Sequence, residues 1–160
     1  RIRIGLPAPA CPADSWAPSY PVSTVDQPSP LTAGQLATAR AVGMAEAIGT
    51  AARALADGIG HALTRQQFTR PIGSFQAVQH HLADSHRDVE IGRSLVLTAL
   101  RADDPALVGP AVTEAFARAR SVVERSIQVY GGMGFTWEVD LHYRLRHVVA
   151  LAGALDPVTA

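Results

Sequence analysis

The chain has 160 residues, and with 48% of them hydrophobic it can bury a substantial core and fold as one compact unit. Fourteen basic and fourteen acidic residues balance to zero net charge with no run of like charge, which argues against nucleic acid and against an anionic membrane as main partner. Cys11 is the single cysteine, so no internal disulfide can form; with no uncharged apolar window of about 18 residues and no signal pattern at the N-terminus, a cytoplasmic setting is expected.

Residues 1–30 hold most of the prolines, as in Pro7-Ala8-Pro9-Ala10 and Pro28-Ser29-Pro30, and show no sustained period. They read as an irregular arm, with residues 31–160 as the folded domain. Thr32 followed by Gln35 matches a capping box, and Leu36, Val42, Met44, Ala45, Ile48, Ala52, Leu55, Ile59 and Leu63 then recur mostly at helical spacing. One long helix is predicted over 31–64. Residues 68–73 form a turn, because Pro71 lacks a donor and constrains its predecessor, and Ser74 is expected to cap a second helix running to about residue 101.

Asp103-Asp104-Pro105 and Gly109-Pro110 bracket the next break, since proline is tolerated in a first helical turn. A third helix ends near Tyr130, where Gly131-Gly132 supplies permissive backbone. Residues 138–154 read as a fourth helix with Leu141, Leu145, Val148, Val149 and Ala152 as its apolar stripe. The expected fold is all-α, an antiparallel four-helix bundle preceded by a Pro-rich arm.

Two segments carry the chemistry. Arg65-Gln66-Gln67-Phe68-Thr69-Arg70-Pro71-Ile72-Gly73-Ser74-Phe75-Gln76 sets a basic residue, two amides and a phenyl ring at a helix end, and Ala77-Val78-Gln79-His80 continues it. Gln128-Val129-Tyr130-Gly131-Gly132-Met133-Gly134-Phe135-Thr136 sets an amide one turn before a glycine turn whose backbone N–H groups can approach a phosphate or ribose. On these residues the chain resembles the C-terminal helical domain of the acyl-CoA dehydrogenase family, over about residues 31–156.

The resemblance implies that Arg65 contacts the pyrophosphate of FAD across a subunit interface, that Phe68 packs near the cofactor, and that Gln128, Gly131, Gly132 and Gly134 meet its adenosine end. Each has a plainer alternative: Arg65 complements the negative end of a helix dipole, Phe68 plugs the core, and the glycines cap a helix. Thr69 departs from the family's usual glycine and is expected to stiffen the turn or crowd a close-packed cofactor. The Gly134-Phe135-Thr136-Trp137-Glu138 wording is similar to that of bacterial members acting on bulky, steroid-derived acyl-CoA thioesters.

Oxidation of a thioester by this family needs a carboxylate to take the α-proton while the flavin accepts hydride from the β-carbon. One family position for that base corresponds to Leu155 and the other, immediately before Arg40, to Ala39; neither side chain takes a proton. Asp156 is the candidate if the register slips by one, although Pro157 follows it. Glu46 lies two turns from Ala39, about 10 Å at 1.5 Å per residue, and is expected to be a solvent-facing charge. The six histidines lack metal-ligand spacing, so no metal site is expected.

Two functions follow from the resemblance. In the first, the chain is part or subunit of a flavin-dependent acyl-CoA dehydrogenase, because the family normally carries three domains and this length makes one. It then shares an FAD site and an acyl-CoA substrate with another dehydrogenase-like chain in a homo- or hetero-oligomer and lacks the base itself. In the second it is a non-catalytic helical dimerisation or scaffolding module.

Overall fold

The computed structural model describes residues 31–102 and 108–156; the Pro-rich arm and the break at 103–107 lie outside the described residues. Helix α1 spans Ala33–Thr64, and its N-terminus carries the expected capping box. The Thr32 hydroxyl accepts the Gln35 N–H, and the Gln35 side chain accepts the Thr32 N–H. Helices α2 (Gln76–Arg101), α3 (Val108–Tyr130) and α4 (Leu141–Leu155) complete an all-α bundle. Among the described residues no helix is long and apolar enough to cross a membrane.

Contacts fix the directions. Gly58 faces Leu82 and Gly92 faces Ile48, so α1 and α2 run antiparallel; Gly43 faces Phe116 and Asp57 meets Tyr130, so α1 and α3 run parallel. Asp57 meets Arg144 and Arg40 meets Leu155, so α4 runs back along α1. This is the expected up-down-up-down bundle.

The core stripe of α1 is made largely of small residues: Ala41, Gly43, Ala47, Ala51, Ala54, Gly58 and Ala62 are buried with Met44, Ile48 and Leu55. Several large residues expected in that stripe point outward instead, with Val42, Ile59 and Leu63 at 59%, 40% and 68% exposed. Small side chains let α3 approach, and α3 supplies the bulk with Val112, Phe116, Val122, Val123 and Ile127. One link between α2 and α3 is ionic. Asp88 is 4% exposed and accepts from Arg118 at 2.6 Å and Arg125 at 2.8 Å; Arg118 also pairs with Glu114, so truncating Asp88 would strip Arg125 of its carboxylate and cost about 3 kcal/mol.

Two helix starts differ from expectation. Ser74 does not cap α2; its hydroxyl donates to the Pro71 carbonyl within a short 3-10 turn, Ile72–Ser74, and Phe75 occupies the cap position without a side-chain bond. Helix α4 begins at Leu141 rather than 138, because the Thr136 and Val139 N–H groups close turns onto Met133 and Thr136.

Candidate functional site

Both motif segments emerge at the same end of the bundle. Helix α1 stops where Arg65 leaves helical geometry while its N–H still donates to the His61 carbonyl at 2.8 Å. The residues expected to form a simple turn make a miniature hairpin: strand β1 (Gln66–Gln67) pairs antiparallel with β2 (Arg70–Pro71). Its two loop residues, Phe68 and Thr69, have φ of 50° and 67°, the left-handed pair that a type I′ turn requires. A β-branched residue there carries strain of about 1–2 kcal/mol, and the Thr69 hydroxyl donates to the Phe68 carbonyl. Thr69 thus sits at a turn position that glycine would adopt without that cost.

Phe68 is no core plug. It is 83% exposed, with its ring edge-on to Phe75 at 6.2 Å. The Arg70 guanidinium lies 4.2 Å from the centre of the Phe75 ring, which holds the hairpin against the start of α2.

The second connection begins with Gln128, exposed on the last turn of α3. Gly131 has φ 62° and ends that helix in the left-handed conformation expected of a glycine cap. Gly134 is needed for a different reason: a Cβ there would stand 2.7 Å from the Ile127 carbonyl oxygen. Gly132 is held by neither constraint, since its φ is not left-handed and a Cβ would meet nothing. Phe135 and Trp137 beyond it are 72% and 74% exposed, and Trp137 packs edge-on to His142 and Tyr143 at 5.1 and 5.4 Å.

The two connections touch through side chains that motif reasoning passed over. The ring of His61, one turn before Arg65, stacks on Tyr130, immediately before Gly131, with centroids 4.1 Å apart and planes 15° from parallel. The Tyr130 hydroxyl donates to the Asp57 carbonyl at 3.2 Å, while the Asp57 carboxylate accepts from Arg53 and Arg144. Burial, then the Arg65 charge, holds the His61 pKa below its ordinary value; burial, then Asp57, raises that of Tyr130 against the opposing pull of Arg144.

The candidate base positions lie at the other end. Ala39 packs half-buried against the core, and Leu155 is 6% exposed in a notch over Gly43, where any Cβ would overlap its Cδ1. The Leu155 carbonyl accepts from Arg40 Nε at 2.9 Å. Asp156 is 5% exposed, ends α4 through its N–H to the Ala152 carbonyl, and accepts the Thr113 hydroxyl at 2.6 Å. Glu46 is exposed as expected and lies 3.0 Å from His147. From Ala39 to Arg65 the helix covers roughly 26 residues, about 39 Å at 1.5 Å per residue.

Two observations of this chain alone leave the open end compatible with a dinucleotide. The Arg65 side chain is exposed and has no carboxylate partner among the described residues, which leaves its guanidinium available to a pyrophosphate. Gly132 leaves open space beside exposed backbone, where a ribose or phosphate can approach.

Residues 30–152 match the family model of the acyl-CoA dehydrogenase C-terminal domain. The chain belongs to the acyl-CoA dehydrogenase family. It is 36% identical over 112 residues to the acyl-CoA dehydrogenase IpdE2 of Mycobacterium tuberculosis, an alignment covering 70% of this chain and 35% of that protein. Among solved structures, the steroid ACAD Tcur3481-Tcur3483 superposes with a TM-score of 0.73 at 30% identity, covering 78% of this chain and 36% of its own. The ChsE4-ChsE5 complex from Mycobacterium tuberculosis superposes at 0.68 with 32% identity, covering 76% and 35%. The chain therefore spans about a third of the length of these relatives.

Proposed function

We propose that this chain acts as the C-terminal bundle of a flavin-dependent acyl-CoA dehydrogenase, lending one edge of an FAD site to a neighbouring subunit and taking its catalytic base from elsewhere in the assembly. The observation that carries this is the separation of the two ends. Arg65, Phe68, Gln128, Gly131, Gly132 and Gly134 lie at one end, and the base positions lie about 33–39 Å away along α1, Leu155 over Gly43 and Ala39 farther on. No one reacting carbon is within reach of both ends of the same chain.

In this reading the Arg65 guanidinium holds the pyrophosphate, the exposed Phe68 ring covers an apolar face of the cofactor, and Gln128 with the glycine turn binds the adenosine end. When bound, FAD supplies the acceptor for the hydride lost in α,β-dehydrogenation of an acyl-CoA thioester. Leu155 and Ala39 put carbon at the two base positions, and Asp156 is buried with one oxygen accepting the Thr113 hydroxyl, which favours orientation over proton transfer as this chain's contribution.

Assembly is part of the proposal. Phe68, Phe135 and Trp137 expose three large aromatic rings at the open end, as expected of a surface that a second bundle covers. The paired names of the Tcur3481-Tcur3483 and ChsE4-ChsE5 structures favour a partner of the same family, and bulky acyl-CoA thioesters as the substrate class. The test is to purify the chain with a co-expressed dehydrogenase-like partner and compare bound flavin with that of the Asp156→Asn complex. The proposal expects flavin in both and unchanged turnover in the variant. Loss of turnover with flavin retained would make Asp156 the base.

A further inference from the structure

The proposed FAD site is built from two connections that share no backbone hydrogen bond with one another, and something must set their spacing. The side-chain contact nearest to both motifs in sequence is the His61–Tyr130 stack. The His61 backbone carbonyl receives the Arg65 N–H, so its ring stands on the last helical turn before the residue that begins the hairpin. Tyr130 precedes Gly131, where the chain turns left-handed, and follows Gln128 by two residues, so its ring is anchored in the backbone beside both. The Tyr130 hydroxyl is tied to the Asp57 carbonyl one turn below His61, which stops the ring from sliding along α1.

We propose that His61 and Tyr130 are a positioning pair that fixes the distance between the Arg65 hairpin and the Gly131 turn, so that one dinucleotide can reach both. The inference rests on the FAD reading above and adds His61, outside both motif segments, and a role for Tyr130 that the family likeness did not assign. Neither ring has to touch the ligand. Stacked flat and part-buried, the two rings form a rigid spacer of fixed thickness; an aliphatic pair there would leave the gap free to vary.

The test uses the full chain purified with its co-expressed partner, titrated with FAD. His61→Ala is expected to weaken FAD binding by about tenfold, and His61→Phe, which keeps a flat ring, to restore it to within about threefold of the parent. Tyr130→Phe removes only the hydroxyl contact and is expected to cost about threefold, a milder variant should His61→Ala fold poorly. A double-mutant cycle separates positioning from general loss of stability: in the Arg65→Ala background, His61→Ala should lose most of its effect on FAD. Full additivity of the two substitutions, or unchanged FAD affinity in His61→Ala, would overturn the positioning role while leaving the FAD site standing. Failure of the parent complex to bind FAD at all would instead remove the reading on which this inference rests.

Discussion

At one end of the bundle the chain turns back through a strained hairpin and a glycine cap, leaving Phe68, Phe135 and Trp137 exposed and Arg65 without a carboxylate partner among the described residues. At the other, Leu155 fills a notch over Gly43, Arg40 holds the Leu155 carbonyl, and Asp156 is engaged by Thr113. The first end spends backbone strain and exposed apolar surface, both of which a folded monomer avoids unless a ligand or partner uses them. The second end satisfies its groups internally. On the proposed reading the cofactor edge and the base position are separable, and the residues at the base position, Leu155 and Ala39, pack against the core.

The largest expected effect tests the closed end. Leu155→Ala removes a buried side chain whose pocket is shaped by Gly43, and should lower unfolding free energy by about 2–4 kcal/mol in denaturant titration. Flavin content of the folded complex should stay the same, and a parallel loss of flavin would blur the distinction between the ends. Next, Arg65→Ala at the open end should weaken FAD binding by about 1.5–3 kcal/mol through loss of a charge-assisted contact, while thermal stability of the apo chain barely moves.

Thr69→Gly sharpens the contrast from the other side. Glycine adopts φ near 67° without the β-branched penalty, so the variant should be more stable than the parent by roughly 1 kcal/mol. A loss of stability would mean that the turn is not strained. The smallest effect concerns pH. Because the folded-state pKa of His61 is lowered, the unfolded chain takes up its proton first; this stability is present above the ordinary value of 6.5 and is lost as pH falls below it, toward the folded-state pKa. Comparing melting temperatures at about pH 7.5 and about pH 5.5, the parent should drop more than His61→Phe, and equal drops would exclude His61 as the source.

Much of this architecture was legible in the residues. The Thr32–Gln35 capping box, the long α1, the end of α3 at Tyr130 and the bundle itself follow from local patterns that tertiary packing did not overrule. The core face of α1 was harder to read. Its buried stripe is mostly alanine and glycine while Val42, Ile59 and Leu63 face outward, so counting large hydrophobics weights the wrong side. Ser74 has the right chemistry for a cap, and only the hairpin geometry shows that Pro71 receives its hydroxyl. That Arg65 and Gln128 serve one ligand is implied by family likeness and not by spacing, whereas the His61–Tyr130 stack and the Asp88 ion cluster join helices distant in sequence and leave no local signal.

The central claim, that the open end holds part of a flavin shared with a partner chain, is tested most directly by the visible absorption of the complex purified from co-expression, read beside that of the Arg65→Ala complex. The account predicts a bound-flavin band in the parent, with a second dehydrogenase-like chain present, and a much weaker band in the variant. A colourless parent that stays empty after FAD is added, as a homo-oligomer of this chain alone, would contradict it and leave a scaffolding bundle in its place.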